Sequence, residues 1–116
     1  MTVLRSHNAQ ATSSTRSVIA MGYNKTPSTG NYDNQATSDF FTFATLGNAV
    51  SFGDMIATGI SPGGTSDSIR GVWAGGGGNV IQYVNISTEG NTVDFGDMVT
   101  AGGWFGATSN AHGGLG

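Results

Sequence analysis

Apolar residues along this chain come in short runs, broken every few positions by glycine, serine, threonine or asparagine. The clearest run is Val80–Ile86, where Val80, Val84 and Ile86 point to one side and Ile81 and Tyr83 to the other. Both sides carry apolar bulk, which predicts a strand covered on two faces. Further strands are predicted at Ile60–Ser66, at its equivalent Gly103–Ser109, at Gly71–Ala74 and at Thr92–Asp97, each bounded by turn residues. No segment shows apolar residues at i, i+3 and i+4 over a helical length, and each glycine in a helix would cost about 1 kcal/mol. The pattern predicts an all-β, antiparallel fold.

The runs recur. Residues 47–55 read GNAVSFGDM and residues 90–98 read GNTVDFGDM, seven of nine identical at a spacing of 43. Upstream, Phe40–Leu46 aligns with Tyr83–Glu89, and Arg16–Gly22 aligns with Arg70–Gly76. A third, shortened copy is read at His112–Gly116. These alignments divide one domain, 1–116, into an end strand (1–15), a first repeat (16–69), a second repeat (70–111) and the start of a third (112–116). An insertion at 23–37, rich in Asn, Ser, Thr and Gly, reads as an exposed loop.

Composition narrows the function classes. Glycine accounts for 20 of 116 residues and charged residues for 9 %, against roughly 25 % in an ordinary soluble domain. The net charge of −3 does not argue for an unfolded chain. Arg5, Arg16, Lys25 and Arg70 are the whole basic complement, too scattered for a nucleic-acid backbone. No apolar run approaches the ~20 residues of a membrane span, and no leader pattern is read at the N-terminus. Without cysteine, disulfides and thiolate zinc sites are excluded.

The series Arg70–Gly76, Ile81–Ser87 and Gly90–Met98 resembles the kelch-like repeat of virion structural proteins from marine bacteriophages, cyanophages especially, over nearly the whole chain. Ser17 and Met21 depart from it in the first copy, where glycines are expected. The resemblance implies four-stranded propeller blades, about two and a half per chain. A ring of that kind typically needs at least four. It would have to be completed by neighbouring chains or a larger assembly.

Candidate chemistry is sparse, and no catalytic residue, metal or cofactor is expected. Asp54, Asp94 and Asp97 are weak candidates for calcium ligands, with a turn aspartate accepting backbone N–H groups as the preferred reading. His7 and His112 are the only imidazoles, and nothing locates a nucleophile beside either. Arg16, Arg70 and His112 share one slot of the repeat and read as structural polar residues, bonding loop carbonyls or a neighbouring aspartate. The glycines of 75–78 and 102–106 lack a phosphate-loop ending and read as turn glycines. Val18, Phe41, Phe43, Phe52, Val72, Trp73, Val84, Ile86 and Phe95 are the expected core and interface. Tyr23, Trp104 and Phe105 are possible ligand contacts.

Two functions follow as expectations. The first is a non-enzymatic phage virion subunit, for capsid decoration, fibre or tail, assembling with its own copies and other virion proteins. The second is an adhesion module that binds host-surface glycan through the 23–37 insertion and the Trp104–Phe105 loop.

Overall fold

A computed structural model of the chain describes residues 2–109. The strands are β1 (Ala9–Thr12), β2 (Arg16–Ala20), β3 (Tyr23–Lys25), β4 (Tyr32–Asn34), β5 (Thr37–Thr42), β6 (Val50–Asp54), β7 (Pro62–Ser66), β8 (Arg70–Gly75), β9 (Val80–Asn85) and β10 (Val93–Asp97). They form two four-stranded antiparallel sheets, ordered β1-β2-β5-β6 and β7-β8-β9-β10, and a separate β3-β4 hairpin. Short turns join the strands and repeat with the sheets. Arg16 N–H donates to Ser13 Oγ at 3.1 Å, and Arg70 N–H donates to Asp67 Oδ1 at 2.6 Å. The amides of Arg70 and Ile69 hold the Asp67 carboxyl below the usual carboxylate range. The last strand of each four-stranded sheet also bulges by one residue, at Phe52 in β6 and at Phe95 in β10.

The sheets lie one on the other, with β1 resting over β7 and β8. A Cβ at Gly71 would lie 2.7 Å from Ala11 Cβ, and one at Gly64 would lie 2.8 Å from Ala9 Cβ. Two missing side chains therefore set how closely the sheets approach. Trp73 fills the space beside them, fully buried, with its indole N–H donating to the Ala9 carbonyl at 3.3 Å. Val18, Ala20, Met21, Phe40, Phe52 and Met55 meet Trp73, Val84 and Ile86 in a single core.

Polar groups hold each incoming segment to its sheet. Buried Asp39 accepts the Thr2 N–H at 3.1 Å, and Gln82, 43 residues later, accepts the Ile56 N–H at 3.0 Å. Asp39 also pairs with Arg5 Nη2 at 3.2 Å, and Arg5 donates to the carbonyls of Thr37 and Met21. Burial pushes the Arg5 guanidinium down, and the Asp39 charge opposes that shift.

Several expectations are corrected. The all-β architecture stands, but the sheets are open, and none closes or curls into a propeller blade arrangement. A meander of four strands and a Gly-Gly turn is common to blades and to stacked sheets; small residues at 64 and 71 commit this chain to stacking. The sheets span 9–54 and 62–97, so each opens one strand before the Arg16 and Arg70 boundaries. The insertion carries the β3-β4 hairpin rather than a plain loop. Residues 103–109 form no strand. In Val80–Ile86 one face is buried through Gln82, Val84 and Ile86, whereas Ile81 and Tyr83 are only half-covered.

The duplicated glycines separate contact from backbone effects. A Cβ at Gly53 would be driven into the Gly90 carbonyl, while one at Gly96 meets nothing within 4 Å. Their φ values, 159° and 147°, are alike, so any backbone penalty for alanine is common to both. Gly53→Ala is expected to cost about 1–3 kcal/mol more than Gly96→Ala in urea unfolding. Equal losses would remove the inter-sheet contact from the explanation.

Candidate docking face and aromatic cleft

The first sheet shows what its outer-strand face looks like when covered. Arg16, Val18, Phe40 and Phe52 share that face, with the Arg16 guanidinium 4.7 Å above the Phe40 ring and the Phe40 and Phe52 rings edge to face at 5.7 Å. The segment after β9 lies against it. Gly90 N–H donates to the Phe52 carbonyl at 3.0 Å, Thr92 N–H to the Asp54 carbonyl at 2.8 Å, and Asp54 N–H to Asn91 Oδ1 at 2.9 Å. Arg16 reaches the Ser87 carbonyl at 3.1 Å.

The second sheet builds the same face, and among the described residues it is left bare. Arg70 sits 5.6 Å above the Tyr83 ring, and Tyr83 meets Phe95 edge to face at 5.8 Å. Val72 completes the set, half-buried. Phe52 is 3 % exposed and its counterpart Phe95 is 59 % exposed. Sequence marks these two phenylalanines as equivalent, since both sit in Phe-Gly-Asp-Met; only the stacking distinguishes them.

Residues 98–109 cover one border of the bare face. Among the non-glycine residues with positive φ are His7 (φ 56°), Ser61 (φ 53°) and Trp104 (φ 63°). They are bonded in series: Ser61 N–H to the His7 carbonyl at 2.9 Å, and Trp104 N–H to the Ser61 carbonyl at 2.8 Å. The third-copy reading at His112–Gly116, with His112 itself, lies outside the described residues. A cleft of about 270 Å³ separates residues 98–109 from the sheet, lined by Asp67, Arg70, Val72, Phe95, Thr108 and Ser109.

A second feature gathers aromatic rings. Tyr23 stacks on His7 at 5.1 Å and meets Tyr32 edge to face at 4.9 Å, while Trp104 stands edge-on to His7 at 5.6 Å. With Ile60 they line a cavity of about 260 Å³. Two of the expected ligand-contact residues, Tyr23 and Trp104, come together here. Phe105 does not; it packs on Gly75 and Gly102.

The remaining candidates scatter. Val18, Phe52, Trp73, Val84 and Ile86 lie in the core, whereas Phe41 and Val72 are half-buried and Phe43 and Phe95 exposed, because they face outward from the stack. Asp54 and Asp97 lie on different sheets, and Asp94 accepts the Gly96 N–H at 2.9 Å. Among the described residues no three carboxylates or imidazoles gather around a common point. Arg16 does bond loop carbonyls, whereas Arg70 lies over Tyr83. Arg5, Asp39 and Gln82 were not singled out from sequence. The 43-residue spacing that links Asp39 to Gln82 was the available signal.

No protein-family model and no curated protein matches the chain. Together with the open sheets, this overturns the kelch-like, virion-protein resemblance: neither a propeller nor a virion-protein signature is present.

The two equivalent phenylalanines should respond unequally to truncation. Phe52→Ala is expected to cost about 3–5 kcal/mol, the range for buried aromatics. Phe95→Ala in the isolated chain is expected to stay within about 1 kcal/mol, since surface changes cost little. Denaturant midpoints of the two variants check this, and similar losses would mean that position 95 is covered.

Proposed function

We propose that this chain is a non-enzymatic structural module that works by protein–protein assembly through the outer face of its second sheet. The supporting observation is the unequal fate of one repeated surface: Phe52 is sealed by the next unit, and Phe95 stands 59 % exposed beside Tyr83, Val72 and Arg70. A contiguous apolar face rimmed by polar groups is the usual mark of a partner site. Low charge suits the same role, because few ionic groups need to be desolvated when such a face is covered.

A photo-crosslinking phenylalanine analogue placed at position 95, in the cells that make the protein, is expected to yield adducts with protein. The same group at exposed Tyr32, off the face, serves as the control. Absence of protein adducts at 95 would contradict the assembly reading.

The aromatic cleft favours a second reading, as a glycan-binding adhesion module. Trp104 is 78 % exposed, and an open indole next to tyrosine and histidine rings offers apolar faces on which a sugar ring can stack. Glycan-array binding abolished by Trp104→Ala, with the unfolding midpoint unchanged, would support it. An array without specific binding would remove it.

A further inference from the structure

The assembly reading leaves its partner unnamed, and one chain carries both halves of the contact. We propose that the bare face of the second sheet receives the first sheet of a second copy of this chain, docked head to tail. This inference rests on the assembly reading and specifies its interface.

The internal junction is the template. There, a face made of Arg16, Val18, Phe40 and Phe52 receives Trp73, Val84, Ile86 and the turn that follows them. The second sheet repeats the receiving side as Arg70, Val72, Tyr83 and Phe95. The first sheet repeats the entering side. Ile19, Phe41 and Phe43 stand where Trp73, Val84 and Ile86 stand in the second, and they point away from the core on the opposite end of the stack. Phe43 is 42 % exposed. The turn that follows reads Gly47-Asn48, as Gly90-Asn91 does at the junction.

The polar contacts transfer as well. Gly47 and Ala49 amides would meet the carbonyls of Phe95 and Asp97, as Gly90 and Thr92 meet Phe52 and Asp54. Asn48 would accept the Asp97 N–H, and Arg70 would reach the carbonyls of Phe43 and Ala44. Room for this approach exists, because nothing lies within 4 Å of a Cβ built at Gly96. The receiving and entering faces differ, so the contact is heterologous and extends into a stack of copies.

One element competes. Residues 98–109 hold, on the second sheet, the place that residues 2–12 of the incoming copy need. Backbone bonds of Trp104 and Gly102, and Phe105 against Gly75, hold that segment without strand pairing. In contrast, β1 pairs with β2 along its whole length, Ala9 to Thr12. The segment 98–109 is therefore the one that yields, and it acts as a removable cap.

Sedimentation velocity on the full chain, on a variant ending at Asp97, and on Phe95→Asp and Phe43→Asp tests this. Concentration-dependent association is expected for the full chain, at least about tenfold tighter without the cap, which corresponds to 1.4 kcal/mol. Each Asp variant alone should remain monomeric, and their mixture should stop at a one-to-one dimer. Both substitutions fall on exposed side chains, and circular dichroism confirms that the variants fold. Association that ignores both substitutions would overturn this interface and leave the assembly reading intact. A full chain and a capless variant that both stay monomeric would overturn copy-to-copy docking, whatever protein position 95 crosslinks to.

Discussion

Two alanines of β1 rest on two positions of the second sheet that have no side chain, and the rest of the structure is arranged around that approach. With Gly64 and Gly71 beneath Ala9 and Ala11, the sheets close far enough for Trp73 to bridge them and for Phe40, Phe52 and Met21 to share a core with Val84 and Ile86. Any larger residue at 64 or 71 would push against β1 backbone or Trp73, and a close-packed interior has little slack to absorb it. The chain is low in large apolar residues, with 23 of 116 being Leu, Ile, Val or Phe. Close approach lets that modest complement be buried efficiently.

Stacking similar units has a direct consequence for the surface. When sheets lie in series, each inner face is sealed by its neighbour and the final face is not. The chain shows this at atomic level: one Phe-Gly-Asp-Met element is covered and hydrogen-bonded across the junction, and among the described residues the other is open. The same duplication supplies the buried polar anchors, Asp39 for Thr2 and Gln82 for Ile56. Function as an assembly module is the reading that this asymmetry supports.

Much of the fold was legible in the residues. All four strands of the second sheet lie within two residues of the ends read from sequence, since the alternation of Val80–Ile86 and the turn residues around it are local signals. The 43-residue spacing correctly paired Phe40 with Tyr83 and Phe52 with Phe95. The relation between the sheets was not legible. Gly53 and Gly96 occupy the same motif, yet only Gly53 is pressed on the Gly90 backbone, because covering depends on a segment distant in sequence. The β3-β4 hairpin was missed for a different reason: Tyr23 and Tyr32 lie in a stretch whose composition reads as loop, and their ring contact is tertiary. Arg5 and Asp39 also escaped notice, as a buried ion pair leaves no periodic trace.

Hydrogen exchange at four amides tests the central claim most directly. If units stack in series, Gly90 and Thr92 are bonded across the junction to Phe52 and Asp54, while their counterparts Gly47 and Ala49 face outward on the isolated chain. Exchange measured by NMR at low concentration should find the Gly90 and Thr92 amides protected and the Gly47 and Ala49 amides fast. Equal exchange within each equivalent pair would contradict the account.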